Sequence, residues 1–342
     1  MLIEFKNNQY KSEINYSTLL NDTKTSYGKW TPKNAGGGYS GNMTAQKAIE
    51  RSINTIPVAL AQKMGVQNCY NFLTDNMGLK NLTDLDLNLS SLGLGGTNGG
   101  ITTLESAAAY AVFGNGGLYY EPTFYTKVCD QKGSVVLEKN PMPKTAIGDD
   151  TAMIMNKLLQ TVIYGNQGTG TSVASSVKKM KLFGKTGTSS SDNDKWFVGG
   201  SPYYVVSSWC GYETMQKMPS ANLGIAKNQW STVMSKIHKG LKAKDFPESK
   251  YVVDRFYCTK TGGLATVECE KTAIGWYKKG ALPEVCQKHS GELMPTPEEV
   301  EKAKEEAEKN EENKDTSSSS STSSDSSNKE NTSKTESTTQ NQ

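Results

Sequence analysis

The chain has 342 residues, which allows one large or two modest domains, and only 35% of them are hydrophobic. The formal net charge is +3, but residues 297–342 hold 12 acidic and 6 basic residues, leaving 32 basic and 23 acidic residues in the body. The sequence has no dense Lys/Arg run, which argues against a nucleic-acid partner. The sequence also has no apolar run near 18 residues and no signal-peptide core. It therefore predicts neither a transmembrane helix nor an export signal.

Residues 1–43 are polar and rich in glycine, which predicts an extended lead-in. Helical periodicity begins at Thr44, a plausible N-cap, and predicts a helix to about residue 51. Pro57 cannot continue that helix, so a second helix is expected over 57–64.

Ser52 and Asn54 therefore fall at a helix junction. Ser52 continues the apolar stripe of the first helix, which predicts that it points inward. The alternative is that Ser52 and Asn54 only cap the two helix ends, as such residues often do.

The middle of the chain alternates between helical and strand-like patterns. Helices are predicted over 66–77, 101–113, 152–164 and 229–241, and strands over 124–128, 134–137 and 203–209.

Residues 182–198 (LFGKTGTSSSDNDKWFV) predict two strands joined by a polar loop. The first ends in Lys185, Thr186, Gly187 and Thr188. A lysine charge and two hydroxyls beside a glycine suit an anion, most simply a carboxylate. A phosphate loop is disfavoured because Lys179 stands where its first glycine would be. The remaining alternative is a hairpin edge with a solvated lysine.

Residues 246–296 contain Cys258, Cys269, Cys286 and His289, enough for a Cys₃His zinc site. The short Cys-x₂₋₄-Cys spacing of common zinc modules is missing, so no metal and no cofactor are predicted. A disulfide among these cysteines is the favoured alternative if the domain is extracellular. Residues 297–342 predict a charged helix to about residue 310, followed by a Ser/Thr-rich disordered tail.

Five blocks together resemble the C-terminal transpeptidase domain of class A penicillin-binding proteins. In order they are WTPKN at 30–34, SIN at 52–54, LESAAAYA at 104–111 with NGG at 115–117, GKTGT at 184–188, and WFVG at 196–199. The resemblance implies an α+β fold like that of serine β-lactamases, an antiparallel sheet flanked by helices, here incomplete at its N-terminus. It places Lys185 on a central strand of that sheet.

The resemblance also implies acyl transfer from a D-alanyl-D-alanine stem peptide to a serine. Ser52 would relay a proton to the leaving amine, Asn54 would bind the substrate amide, and Lys185 would supply positive potential. Thr186 and Thr188 would bind the substrate carboxylate beside Gly187. β-Lactams mimic the same D-alanyl-D-alanine end, so these antibiotics and peptidoglycan stem peptides are the implied partners, with other cell-wall synthesis proteins as further candidates.

The family's nucleophile block, S-x-x-K, is expected tens of residues before WTPKN. Only 29 residues precede Trp30, and Ser26–Lys29 fits by letters alone beside a glycine. We therefore expect a chain that starts after its nucleophile, with 44–245 a partial transpeptidase domain and 246–296 a Cys-containing extension. The full-length parent would act at the extracytoplasmic face of the membrane, and we expect neither a signal nor a membrane anchor in this chain.

Two hypotheses follow. The chain is part of a peptidoglycan D,D-transpeptidase and is inactive alone, or it is a non-catalytic peptidoglycan-binding scaffold derived from the same domain. A serine β-lactamase is disfavoured because it needs the same missing serine.

Overall fold

The structure is a computed structural model that describes residues 14–219 and 223–317. Among these residues, those up to Met294 form one compact unit, and those from Pro295 onward form a second. The first 13 residues of the predicted lead-in and the predicted disordered tail from residue 318 lie outside the described residues.

The helices of the described part follow the predicted order, with one addition, Leu89–Leu94, that the sequence did not predict. They are α1 (Ala45–Glu50), α2 (Thr55–Met64), α3 (Val66–Asn71), α4 (Leu89–Leu94), α5 (Thr103–Ala111), α6 (Asp149–Tyr164), α7 (Ile225–Ile237) and α8 (Pro297–Ser317). The last turn of the helix predicted over 66–77 is a π-helix, Phe72–Asn76.

The strands are short and antiparallel. They are β1 (Leu19–Asp22), β2 (Gly41–Thr44), β3 (Leu118–Tyr119), β4 (Lys127–Cys129), β5 (Val135–Glu138), β6 (Lys144–Thr145), β7 (Phe183–Thr188), β8 (Lys195–Gly200), β9 (Val205–Cys210), β10 (Val252–Cys258) and β11 (Thr272–Lys278).

The largest sheet among the described residues has three strands in the order β7-β8-β9. Helix α6 packs against β7, and α5 and α7 pack against β8 and β9. This agrees with an α+β fold, but β7 lies at the edge of the sheet that the described residues form. The prediction that the strand carrying Lys185 is central is therefore wrong for this part of the chain.

Helix α7 covers the sheet with a large aromatic side chain. Trp230 is fully buried and lies edge-to-face on Phe197 of β8, with the ring centroids 5.0 Å apart. Its indole N–H donates to the carbonyl oxygens of Gly199 and Val206, at 3.2 and 3.0 Å. Burial of this ring and two hydrogen bonds to adjacent strands fix α7 on the sheet.

The junction between α1 and α2 forms much as the sequence predicts. Thr44 caps α1 through a hydrogen bond from the backbone N–H of Lys47. Helix α2 begins at Thr55, two residues before Pro57. The predicted start at Pro57 is therefore two residues late. Proline is tolerated in the first turn of a helix, where the N–H groups have no intrahelical partners, so the helix can begin before it.

The cysteine-containing extension packs on the segment that leads into β1. Tyr16 is buried against Trp276, Tyr257 and Tyr277, with ring centroids 5.4 to 6.5 Å apart in edge-to-face geometry. The β10–β11 hairpin thereby shares a core with α6.

In the second unit, α8 starts with the predicted capping box between Thr296 and Glu299. The helix extends to Ser317, beyond the predicted end near residue 310. Across the described residues, no helix is both long enough and apolar enough to cross a membrane.

Candidate active site

Lys185 of β7 contacts Ser52, although the two residues are far apart in the sequence. The Lys185 Nζ donates to the Ser52 Oγ at 2.6 Å and to its neighbour's carbonyl oxygen, Thr186 O, at 2.9 Å. The ammonium group is largely removed from water, and this burial lowers the pKa of Lys185 to about 8. The interpretation of Lys185 as a solvated lysine on a hairpin edge is therefore wrong.

Ser52 lies in the turn after α1 rather than on the helix itself. Its φ is +56°, in the left-handed region that non-glycine residues seldom adopt. The turn is held by backbone hydrogen bonds from Ser52 N–H to Ile49 O and from Ile53 N–H to Ala48 O. This conformation directs the Ser52 hydroxyl towards Lys185 and is a strained arrangement of the kind found at functional sites.

Asn54 does not cap α2 with its side chain, so the capping interpretation is wrong for this residue. Its Nδ2 instead donates to the carbonyl oxygen of Lys33 at 2.8 Å, and its backbone N–H donates to the Oδ1 of Asn34 at 2.9 Å. The WTPKN and SIN blocks, which the sequence shows as separate motifs, therefore meet in one structure.

Asp22 at the end of β1 joins these motifs and was not singled out from the sequence. Its buried carboxylate accepts from the Asn34 Nδ2, from the Thr55 Oγ1 at 2.6 Å and from the backbone N–H of Ser40 at 2.8 Å. Burial alone raises the pKa of Asp22, but these hydrogen bonds and the Arg51 charge outweigh it and lower the pKa. No local sequence signal marks this residue, because its three hydrogen-bond partners lie 12, 18 and 33 residues away in the chain.

The Thr186 hydroxyl lies 2.7 Å from the hydroxyl of Thr169, in the loop after α6. The carbonyl oxygen of Thr169 accepts from the Lys227 Nζ at 3.2 Å. Sequence reasoning missed both residues. The signal was present for Thr169, since residues 168–171 read GTGT and repeat the polar, glycine-spaced pattern of the β7 strip.

Gly187 pairs with Trp196 across the β7–β8 ladder, and a Cβ at Gly187 would lie 3.0 Å from the Cβ of that tryptophan. Thr188 ends β7 and is exposed. The predicted anion-binding residues thus form a continuous strip that begins beside Ser52 and ends at the surface.

Glu50 fixes the position of α1 relative to α6. It is buried, pairs with the Lys47 Nζ at 3.0 Å, and accepts from the backbone N–H of Gln167 at 2.7 Å. Because Gln167 follows α6, this carboxylate ties the Ser52 turn to the loop that carries Thr169.

The serines that match S-x-x-K by letters within the described residues lie elsewhere. Ser26 is exposed and its hydroxyl lies 2.8 Å from that of Thr31. Ser175 is also exposed, in the loop region before β7. Its neighbour Ser176, which also matches through Lys179, is half-buried in the same loop. A fourth match, at Ser326, falls outside the described residues. Within the described part of the chain, the side-chain hydroxyl that contacts the Lys185 Nζ is that of Ser52.

A second constellation lies in the extension, where the structure brings Cys258, Cys269, Cys286 and His289 together. All six cysteines of the chain are unpaired in the structure, so the favoured disulfide is not formed. The sequence lacks the Cys-x₂₋₄-Cys spacing of common zinc modules, but Cys286 and His289 form a Cys-x₂-His pair.

Comparison with known families gives a match to the penicillin binding protein transpeptidase domain over residues 1–235. Penicillin-binding protein 1A of Clostridium acetobutylicum is 34% identical over 236 residues, which are 68% of this chain and 28% of that protein. Penicillin-binding protein 1A of Clostridium tetani is 30% identical over 308 residues, 84% of this chain and 38% of that protein. The chain thus spans well under half the length of these relatives.

Solved structures share the fold. Penicillin-binding protein 1A from Haemophilus influenzae superposes with a TM-score of 0.68 at 23% identity, covering 79% of this chain and 46% of that one. PonA1 from Mycobacterium tuberculosis, solved in complex with penicillin V, superposes with a TM-score of 0.57 at 20% identity over 70% of this chain and 68% of that one.

Proposed function

The chain belongs to the penicillin-binding protein transpeptidase family, and we propose that it supplies the carboxylate-holding side of a peptidoglycan D,D-transpeptidase site. The substrate of the whole protein would be a stem peptide ending in D-alanyl-D-alanine, cross-linked by serine acyl transfer at the extracytoplasmic face of the membrane. β-Lactams would bind the same site.

The contact between the Lys185 Nζ and the Ser52 Oγ at 2.6 Å carries this proposal. A partly desolvated ammonium attracts an anion more strongly than a solvated one, because less water screens its charge. The same ammonium favours the deprotonated form of the hydroxyl next to it, which suits Ser52 to passing a proton towards a leaving amine.

The roles of the other residues follow from their hydrogen bonds. The Nδ2 of Asn54 is committed to the Lys33 carbonyl, so its Oδ1 is the atom to accept the N–H of a substrate amide. The hydroxyls of Thr186 and Thr188 would donate to the substrate carboxylate, and the Thr188 backbone N–H would form half of an oxyanion hole. Gly187 keeps that stretch of strand free of a side chain.

The attacking serine is the part that we do not assign to this chain. Of the described S-x-x-K matches, Ser26 and Ser175 are exposed and Ser176 is half-buried, and the Lys185 Nζ donates to Ser52 and to Thr186 instead. We therefore propose that this chain binds the D-alanyl-D-alanine end but does not form an acyl-enzyme alone.

Ligand-observed NMR with diacetyl-lysyl-D-alanyl-D-alanine tests the binding half of this proposal. The free carboxylate is expected to bind and the C-terminal amide is not, because Lys185 recognises the charge. Lys185→Met should lose binding, whereas Lys178→Met, which alters an exposed lysine, should retain it. Equal binding of acid and amide, or unchanged binding by Lys185→Met, would contradict the site.

A fluorescent penicillin tests the second half and separates the two family-derived hypotheses. No covalent label above a heat-denatured control is expected for the chain alone. Peptide binding without labelling fits either a partial enzyme or a non-catalytic peptidoglycan-binding scaffold. Adding a segment that carries S-x-x-K distinguishes them, because covalent labelling should return only if the chain is part of an enzyme. Labelling of the chain alone that disappears in Ser52→Ala would instead identify Ser52 as the nucleophile.

A further inference from the structure

We propose that Cys258, Cys269, Cys286 and His289 form a four-coordinate structural zinc site in the extension that follows the transpeptidase domain. The four ligand atoms, three Sγ and the His289 Nδ1, all lie within 4.8 Å of one another. They come from the end of β10, the β10–β11 connection and the segment after β11.

The three distances between sulfur and nitrogen match those of a metal-centred tetrahedron. The His289 Nδ1 lies 3.5 Å from the Cys258 Sγ, 3.6 Å from the Cys269 Sγ and 3.3 Å from the Cys286 Sγ. Zinc bonds of about 2.3 Å to sulfur and about 2.0–2.1 Å to nitrogen give a tetrahedral S···N edge of about 3.6 Å. The observed separations are close to that edge.

Hydrogen bonding does not account for the arrangement. One imidazole nitrogen either donates or accepts, and three sulfur atoms converge on the same Nδ1. A disulfide also fails to account for it, because a bond between two of the sulfurs leaves the third thiol and the imidazole without a role. A central cation satisfies all four groups at once.

The surroundings hold the ligands in place. The Thr266 hydroxyl lies 3.4 Å from the Cys269 Sγ and donates to the His289 carbonyl oxygen at 2.9 Å. The Thr261 hydroxyl donates to the Cys286 Sγ at 3.2 Å.

Three thiolates and one imidazole are soft ligands that favour zinc over calcium or magnesium. Binding converts three thiols and a neutral imidazole into one Zn(Cys)₃(His) centre and releases three protons to water. Because protein groups fill all four positions, the site is of the structural rather than the catalytic kind.

The site stands next to the contacts that hold the extension to the rest of its unit. Cys258 O accepts from the Gly262 N–H at 2.8 Å, and the Gly262 carbonyl accepts from the Ser17 Oγ at 2.6 Å. Ser17 in turn accepts from the Tyr277 hydroxyl at 2.8 Å. A metal that fixes the Cys258 loop therefore fixes the segment that leads into β1.

Metal analysis of the full chain, purified from zinc-supplemented medium under mildly reducing conditions, tests the proposal. About one zinc per chain is expected, together with a thiolate-to-cobalt charge-transfer band and tetrahedral d–d bands when cobalt(II) replaces zinc. Cys269→Ser and His289→Ala should lose the metal, and Cys129→Ser, which alters an exposed cysteine, should keep it.

If the variants do not fold, measurements on the wild-type chain alone still test the proposal. A mercurial reagent that titrates thiols should release the zinc from it in step with thiol modification, and chelation should lower its melting temperature. A metal-free, folded wild-type chain with free thiols would overturn the proposal. So would a disulfide between any two of Cys258, Cys269 and Cys286 in the mass spectrum of the alkylated, unreduced protein.

Discussion

The side-chain amide of Asn34 donates to both carboxylate oxygens of Asp22, at 2.9 and 3.0 Å, and its carbonyl oxygen accepts from the backbone N–H of Asn54 at 2.9 Å. A single amide therefore connects a buried charge on β1 to the turn that presents Ser52 to Lys185. The position of this turn depends on a residue that touches neither the Ser52 hydroxyl nor the lysine.

Replacing Asp22 is expected to destabilise the unit and weaken ligand binding together. In Asp22→Ala the Thr55 hydroxyl and the Ser40 N–H lose a charged acceptor, which should lower the free energy of unfolding by about 2–4 kcal/mol. Urea denaturation measures the loss, and the peptide titration measures binding. Asp245→Asn, in an exposed loop, is the matched control, and equal effects of the two substitutions would contradict a supporting role for Asp22.

The same carboxylate predicts an acid-dependent loss of stability. Its pKa is lower in the folded state than the value near 3.9 of an unfolded aspartate. The stabilisation is therefore complete above about pH 4 and is lost as the pH falls through the folded pKa. The unfolding free energy of the wild type should fall more steeply below pH 4 than that of Asp22→Asn, whereas parallel curves would assign the acid sensitivity to other groups.

Lys185 predicts a loss of ligand binding at alkaline pH. Burial lowers its pKa to about 8, so the folded chain releases this proton at a lower pH than the unfolded chain, whose lysines titrate near 10.4. Binding of a D-alanyl-D-alanine carboxylate should weaken as the pH rises through about 8. In Lys185→Arg the charge persists, and any remaining affinity should be flat between pH 7 and 9. A wild-type affinity that does not change over that range would exclude the Lys185 ammonium as the anion-binding group.

The sequence located the separate parts of the candidate site because each carries a local pattern. Thr44 is a usual N-cap, Pro57 marks a helix start, and Gly184 to Thr188 is a glycine-framed polar strip. All of these were found in the expected secondary structure. Periodicity also located α6, but the helix predicted over 229–241 forms four residues earlier at both ends.

Contacts between distant segments were not predictable in the same way. Asp22 acts through partners that are remote in sequence, and no local pattern marks it as buried or paired. Around Thr169 the glycine-spaced polar pattern is visible, but it does not identify the partner hydroxyl, that of Thr186. The edge position of β7 follows from the strand order of the sheet. Strand order depends on which strands pair in three dimensions, and hydrophobic periodicity carries no information about that pairing. For the cysteine cluster the Cys-x₂-His spacing was visible in the sequence, but the convergence of four groups from three separate segments was not.

Gly199 is expected to tolerate no side chain. A Cβ built there would lie 2.2 Å from the Phe183 carbonyl oxygen and 2.6 Å from the Gly184 Cα, both on the paired strand β7. Gly199→Ala should therefore push β7 away from β8, lower the unfolding free energy by about 1–3 kcal/mol or more, and weaken peptide binding by displacing Lys185.

Gly96→Ala serves as the control for that substitution, because a Cβ there meets nothing within 4 Å. Its free energy of unfolding is expected to stay within about 1 kcal/mol of that of the wild type, in either direction. If Gly199→Ala were as stable as Gly96→Ala and bound the peptide normally, the close pairing of β7 and β8 would be incorrect.

Trp230 separates the contribution of ring burial from that of hydrogen bonding at the α7–sheet contact. Trp230→Phe keeps an aromatic ring on Phe197 but leaves the Gly199 and Val206 carbonyls without the indole donor, which should lower the unfolding free energy by about 1–3 kcal/mol. Trp230→Ala also opens a cavity and should lower the unfolding free energy by about 3–5 kcal/mol.

Val233→Ala, on the same helix with a side chain 42% exposed, is the control and should change the unfolding free energy by less than about 1 kcal/mol. Thermal or urea unfolding of the three variants gives this order if α7 packs as described, and a loss for Val233→Ala as large as that for Trp230→Ala would mean that a different face of the helix meets the sheet.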